Sequence, residues 1–280
     1  MVYGDTNSTL AGALAASKLH IPVDHVEAGL RSFNRRMPEE INRVLTDHVS
    51  TLLFCPTKTA VRNLSAQGIT QGVHLVGDVM LDALLDAQAL AMERSIIHDR
   101  LGLTDKKYLL ASVHRAENTD DPQRLRAIIT ALNQLSEVEP VIFPVHPRTE
   151  KALVRHGLLP IGVLRPPASD FGASLSGLRF IAPLGYLDLV RLASSARLIL
   201  TDSGGLQKEA CWLRVPCVTL RDETEWVETI QSGWNVLVGV DWEGIVANIR
   251  GFQSPEKHFG PDRSGPAASA KIARVISEAS

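Results

Sequence analysis

The chain has 280 residues, with 29 Lys and Arg against 31 Asp and Glu and a hydrophobic fraction of 45%. That length fits one large domain or two ordinary ones, the hydrophobic fraction excludes a disordered chain, and the near-cancelled charge argues against non-specific binding to nucleic acid or anionic membrane. No apolar run reaches membrane-spanning length, the start lacks the basic and apolar regions of a signal peptide, and Cys55, Cys211 and Cys217 lack CxxC spacing, so buried thiols in a cytoplasmic protein are expected.

From the N-terminus, Val2–Tyr3 runs into Gly4-Asp5-Thr6-Asn7-Ser8 and a helix over Ser8–Leu19. Short buried strands are predicted at Ile21–Val26, Thr51–Phe54 and Val73–Val76, with helices at Pro38–Val49, Thr57–Gln67 and Val79–Glu93. Arg94–Asp105 is charged, lacks a strand and reads as a hinge. A second alternation begins near Lys107. Its strands are Tyr108–Val113, Val141–Val145, Leu178–Ile181, Leu198–Leu200, Pro216–Leu220 and Asn235–Leu237. Its helices are Asp121–Leu135, Tyr186–Ser194, Gly205–Leu213 and Trp242–Phe252, the first with Pro122 in its opening turn. Leu158–Gly177, rich in Pro, Gly and Ser, reads as a surface insertion or a mobile lid, and the Ala-rich Ser264–Ser280 reads as a helix.

Strand-helix alternation with near-continuous apolar strands means parallel sheets covered on both faces. The expected division is residues 1–95, residues 105–265 and a terminal helix at 266–280. The second domain has a full doubly wound strand set, whereas the first has three clear strands plus Val2–Tyr3. It is therefore expected to be the C-terminal part of a sheet, and the chain as given is expected to be poorly soluble or dependent on a partner and to show little or no activity.

Six clusters lie at predicted strand ends, where open α/β sheets bind ligands. Asp5 follows the first strand, and Glu27 follows the second in His25-Val26-Glu27-Ala28-Gly29-Leu30-Arg31. Glu39 and Glu40 open a helix in Met37-Pro38-Glu39-Glu40-Ile41-Asn42-Arg43. Helix capping and dipole pairing are the ordinary explanation for each acid alone. Three carboxylates converging in a cleft instead raise at least one pKa, which suits acid/base work. Ser112-Val113-His114-Arg115-Ala116-Glu117-Asn118 places a titratable ring beside a fixed cation, a pair suited to an anionic leaving group; His146-Pro147-Arg148 follows the next strand. Thr201-Asp202-Ser203-Gly204-Gly205-Leu206-Gln207-Lys208-Glu209 runs from a strand through glycines into a helix, an anion seat built of backbone N–H groups, and Glu209 could reach a ribose diol. Arg221-Asp222-Glu223-Thr224-Glu225-Trp226-Val227-Glu228 opens another helix. The nine histidines show no HxxxH or HExxH spacing, which speaks against a metal site.

Together these motifs resemble the non-hydrolysing UDP-N-acetylglucosamine 2-epimerases. The matching residues are Gly4-Asp5-Thr6-x-Ser8, His25 to Arg31, Pro38-Glu39-Glu40-x-Asn42-Arg43, Asn63-Leu64, Val76-Gly77-Asp78-Val79, His114-Arg115-x-Glu117-Asn118, His146-Pro147, Asp202-Ser203-Gly204-Gly205-x-Gln207-x-Glu209 and Arg221-x-x-Thr224-Glu225. They run in family order along nearly the whole chain. The resemblance implies two Rossmann-like domains of glycosyltransferase-B type, with a nucleotide sugar in the cleft. It implies C2 inversion of a UDP-linked 2-acetamido sugar without cofactor or metal, through UDP elimination to a 2-acetamidoglucal and re-addition. It implies Asp5, Glu27 and Glu39 as acid/base carboxylates and His114 at the leaving group. Ser203, Gly204 and Gly205 are implied at phosphate, Glu209 at ribose, Leu184 and Leu189 near uracil, and Arg115 and Glu225 as further substrate contacts. A cytoplasmic homodimer feeding polysaccharide synthesis is the implied setting, with a UDP-sugar as partner and no nucleic acid or membrane.

Thr224-Glu225-Trp226-Val227-Glu228 stands where many members carry Thr-Glu-Arg-Pro-Glu. The Trp form resembles a branch that includes 2-epimerases of UDP-2,3-diacetamido-2,3-dideoxy-glucuronate, and an indole face would suit an acetamido methyl. Two further readings are a sugar transferase on the same fold and an inactive nucleotide-sugar binder.

Overall fold

A computed structural model describes residues 1–159, 177–252 and 265–279, with Trp242, Arg250 and Ala279 described by backbone alone. Most of the Leu158–Gly177 stretch lies outside the described residues. The chain divides into two compact units, Met1–Ala83 with Pro261–Ser280, and Leu84–Gly260.

In the first unit, β1 (Val2–Tyr3) leads to α1 (Asn7–Lys18), β2 (Asp24–Val26) to α2 (Pro38–Val49), β3 (Leu52–Cys55) to α3 (Lys58–Ala66), and β4 (Val73–Leu75) to α4 (Val79–Arg94), which crosses the division between units. The four strands pair in parallel in sequence order, with Tyr3 opposite Val26 and Val26 opposite Phe54. Side-chain caps fix where the helices begin: Thr6 Oγ1 accepts from Thr9 N–H, and Thr57 Oγ1 accepts from Ala60 N–H. Pro38 starts α2 with φ already set for a helix.

The second unit continues with α5 (Ile97–Arg100), β5 (Leu109–Ser112), α6 (Ala116–Thr119), α7 (Pro122–Ser136), β6 (Val141–Pro144), α8 (Pro147–Arg155), β7 (Leu178–Ile181), α9 (Tyr186–Ser195), β8 (Leu198–Thr201), α10 (Gly204–Trp212), β9 (Cys217–Thr219), α11 (Val227–Gln231), β10 (Asn235–Leu237) and α12 (Trp242–Gly251). Its six parallel strands lie in the order β10-β9-β8-β5-β6-β7. That is a doubly wound sheet, and the strand order reverses between β5 and β8. Each face is covered. Leu109, Val113, Ile128, Leu132 and Phe143 lie in one core, and Tyr108, Leu110, Ile142, Leu192 and Ile199 in the other. The charged stretch Arg94–Asp105 is not a bare connector. Ile97 and Leu101, four residues apart, are buried in the second of these cores.

The last helix, α13 (Ala268–Ala279), returns to the first unit. Ile272 packs with Val26, Phe54 and Val76, and Val275 and Ile276 pack against that cluster. The Asp82 carboxylate accepts from the N–H groups of Ala268 and Ser269 and from Ser269 Oγ, and so caps the helix from α4.

Candidate active site

The C-terminal ends of β1 and β2 are held by backbone geometry that few residues tolerate. Gly4 has φ +68, and its N–H donates to Val26 C=O. Glu27 has φ +75, a left-handed conformation costly for a residue with a Cβ. Its N–H and that of Ala28 both donate to Phe54 C=O at 3.1 Å. A Cβ on Gly4 would stand 3.6 Å from Glu27 Oε2, so the Glu27 carboxylate hangs over the Gly4–Asp5 turn. Asp5 pairs with Arg43 Nη2 at 2.5 Å, while Asn42 Nδ2 donates to Asp5 C=O at 2.9 Å. The phenol of Tyr3 is pushed well above its ordinary range, first by burial and then by the charges of Glu27, Asp78 and Asp5. Asp5 and Glu27 are thus brought together, and Asp78, which caps α4 at Met80 N–H, joins them.

The two acids at the start of α2 part company. Glu40 is buried and ties down the preceding loop, accepting from Ser32 N–H, Ser32 Oγ and Phe33 N–H, with Arg43 Nη1 at 3.3 Å. Glu39 is half-buried, one helical turn before Arg43. Behind this edge lies a fully buried network. His25 Nδ1 is 2.7 Å from Asp47 Oδ1, and His25 Nε2 is 2.9 Å from Gly4 C=O. Asp47 Oδ2 accepts from Gly29 N–H at 3.2 Å and pairs with Arg31 Nη1 at 2.7 Å.

In the second unit, His114 and Asp202 follow β5 and β8, the two strands at the reversal of strand order. Asp202 is fully buried. It accepts from the N–H groups of His114 and Arg115 and from Asn118 Nδ2, at 2.9–3.1 Å. It also lies 3.4 Å from His114 Nδ1, which orients the ring. The His114 pKa is lowered, chiefly by burial. His146, Arg115 and Arg148 also lower it, against Asp202. The His146 ring stands 5.6 Å from that of His114.

Ser203 caps α10 through Leu206 N–H, so the N–H groups of Gly204 and Gly205 open a helix at its positive end. A Cβ on Gly204 would meet Glu225 Oε1 at 2.6 Å, so a side chain there would push the Glu225 carboxylate aside. Glu225 pairs with Arg221 Nη1 at 3.1 Å and lies 4.0 Å from Arg115 Nη2. Glu209, further along α10, accepts from the Tyr186 hydroxyl at 2.7 Å. Leu184 and Leu189 are half-buried against the core shared with Leu192 and Leu206. One expectation changes. The Trp226 indole offers no open face, because it is 5% exposed and Lys208 Nζ stands 3.8 Å over its ring.

Asp202, Tyr186 and Asp47 carry no role in the motif reading. A strand-end Asp before Ser-Gly-Gly was a usable signal for the first. The other two are found only through contacts 23 and 22 residues away in sequence.

Among the described residues no helix is long and apolar enough to cross a membrane. The sequence profile described as UDP-N-acetylglucosamine 2-epimerase matches residues 1–277. A Methanococcus maripaludis protein, named a UDP-N-acetylglucosamine 2-epimerase homolog, is 51% identical over 99% of this chain and 74% of its own length. The UDP-2,3-diacetamido-2,3-dideoxy-D-glucuronate 2-epimerase of Pseudomonas aeruginosa is 48% identical over 99% of this chain and 74% of its own length. The crystal structure of Methanocaldococcus jannaschii UDP-GlcNAc 2-epimerase, in complex with UDP-GlcNAc and UDP, superposes with a TM-score of 0.85 at 42% identity, over 99% of this chain and 75% of that one. With two parallel α/β sheets and motifs matched along almost its full length, the chain belongs to the UDP-N-acetylglucosamine 2-epimerase family, isomerases of glycosyltransferase-B type fold.

Proposed function

We propose that the protein interconverts UDP-N-acetylglucosamine and UDP-N-acetylmannosamine. The observation that carries this reading is the pair Asp5 and Glu27 on adjacent strand ends, Asp5 held by Arg43 and Glu27 held in a left-handed backbone. A weakly acidic C–H needs a base fixed in place, and fixed carboxylates meet that need. In the proposed route a carboxylate takes the C2 proton as the C1–O bond breaks. UDP leaves with the bonding electrons, and a 2-acetamidoglucal remains. The proton returns to the opposite face as UDP re-adds at C1. Asp5, Glu27 and Glu39 share the proton transfers. His114, oriented by Asp202, assists the departing diphosphate together with Arg115. The Ser203–Gly205 turn binds phosphate and Glu209 the ribose hydroxyls. Leu184 and Leu189 flank the uracil, and Glu225 sets the position of Arg115.

A second reading, 2-epimerisation of UDP-2,3-diacetamido-2,3-dideoxy-glucuronate, is favoured by the 48% identity to the Pseudomonas aeruginosa enzyme. The covered face of Trp226 removes the contact argument for it.

Incubation with UDP-N-acetylglucosamine in D2O, followed by NMR, tests the main reading. The expected result is deuterium at C2 of both the gluco and the manno sugar. Transfer of the sugar to an acceptor, or binding without exchange, would overturn it. Competition between the two UDP-sugars decides the substrate, and a large kcat/KM advantage for the diacetamido sugar would favour the second reading.

A further inference from the structure

The geometry points to Asp47 as the positioning residue for Asp5 and Glu27, an inference that rests on the acid/base reading of those carboxylates. Asp47 sits in the last turn of α2 with its side chain wholly buried, and each carboxylate oxygen grips a different arm. The first arm runs from Oδ1 through His25 to Gly4 C=O. Since Gly4 N–H is held by Val26 C=O, the Gly4 residue is pinned at both its peptide groups, and the peptide that His25 grips is the one carrying Asp5. The second arm runs from Oδ2 to Gly29 N–H. His25 and Gly29 stand two residues either side of Glu27, so one carboxylate staples both ends of the arc whose centre is left-handed. A residue with a Cβ stays in that conformation only where its surroundings over-determine it.

The placement on α2 supports the same role. Glu39, Arg43 and Asp47 are spaced by four, along one stripe of the helix. The helix that carries Glu39 thus sets the Asp5 carboxylate through Arg43 and the backbone beneath Asp5 and Glu27 through Asp47. A side chain that acts only as a buried ion pair would satisfy Arg31 and stop there. Asp47 also accepts from Gly29 N–H directly and reaches Gly4 C=O through His25, at the two strand ends that carry the acids.

The test is Asp47→Asn, which keeps the volume but replaces one acceptor oxygen with an amide nitrogen. The kcat for C2 exchange should fall about 10- to 100-fold, the scale of a sub-ångström misplacement, while KM and thermal protection by UDP stay within about twofold of the parent. In a Glu27→Gln background the same change should cost clearly less than in the parent, because part of its effect passes through Glu27 and the remainder through Asp5. A full multiplicative loss in the double variant would mark a merely structural role and overturn the inference. Parental kcat in Asp47→Asn, with activity lost in Asp5→Asn and Glu27→Gln, would also overturn it and leave the acid/base reading standing. Parental rates in those two carboxylate variants would sink that reading and the role of Asp47 with it. Should Asp47→Asn not fold, His25→Gln cuts only the first arm and should still lower kcat. Independently of turnover, the backbone amide resonances of Gly4 and Asp5 should shift in His25→Gln, and unshifted resonances would overturn the inference.

Discussion

At the ends of β1 and β2 the first unit carries acid side chains, each fixed by partners far away in sequence or by a left-handed backbone. At the ends of β5 and β8 the second unit carries a histidine, backbone N–H groups and two glycines, fixed by a single buried Asp202 and by the start of α10. On the proposed function, the difference follows from what each edge would hold. A proton acceptor for carbon has to be a side chain at a set position, and setting it requires long-range partners. An anion seat can be made from main chain alone, within one turn of a helix. The first edge should therefore fail through side-chain substitution, and the second chiefly through changes that fill its backbone cradle.

The sharpest break in this contrast is chemical. Glu27→Gln and Asp5→Asn should each lower turnover by about 10² or more, the usual scale for acid/base groups, while UDP still protects the protein against heat. Near-normal turnover in both would erase the distinction between the two edges.

The next effect falls on backbone. Gly29 has φ +82, and an added Cβ would stand 2.5 Å from Ala60 C=O, so Gly29→Ala should cost about 1–3 kcal/mol in denaturant unfolding. Gly204→Ala meets the end of a side chain, Glu225, which can move, so its cost should appear as weaker UDP protection more than as lost stability. Equal stability losses in the two variants would contradict that contrast.

Ser203→Ala removes the α10 cap, worth about 1 kcal/mol, and should also weaken protection by UDP. Undiminished protection would place the anion elsewhere.

The smallest effect is on pH dependence. The folded pKa of His114 lies below its ordinary value near 6.5, so as pH falls the unfolded chain takes up the proton first. Stability from this group is intact above about pH 6.5 and is lost as pH falls toward the folded pKa. His114→Gln should therefore lose less melting temperature than the parent between about pH 7 and pH 5, and identical losses would remove His114 as the source.

Local signals made some of this legible. Pro38 in the first turn and an amphipathic run gave α2 its bounds at Pro38–Val49, and β7 and β10 also fall where the apolar runs end. The helices α5, α6 and α8 lie outside the predicted elements, whereas α11 follows the Arg221–Glu228 run that opens a helix. The first two are a single turn, below the length at which periodicity shows, and α8 is signalled only by Pro147 in its first turn. Motif order located the candidate site residues, but not what holds them. Nothing local links Arg43 to Asp5 across 38 positions, or His25 to Asp47 across 22. The pairing of β1 with β2 and the packing of α2 against α1 bring those residues together. The covering of Trp226 is hidden from the sequence for the same reason, since Lys208 over its ring lies on another element.

The three cysteines make the protein its own stopwatch. Cys55 is in the first unit, Cys211 and Cys217 are in the second, and all are free and buried. Burial pushes the thiols of Cys55 and Cys217 up to about 12, and that of Cys211 upward as well. A thiol that is covered and protonated is inert to alkylation until its surroundings open. Mass spectrometry of maleimide-treated wild-type protein would therefore time the opening of each unit separately, from one sample and without any engineered label.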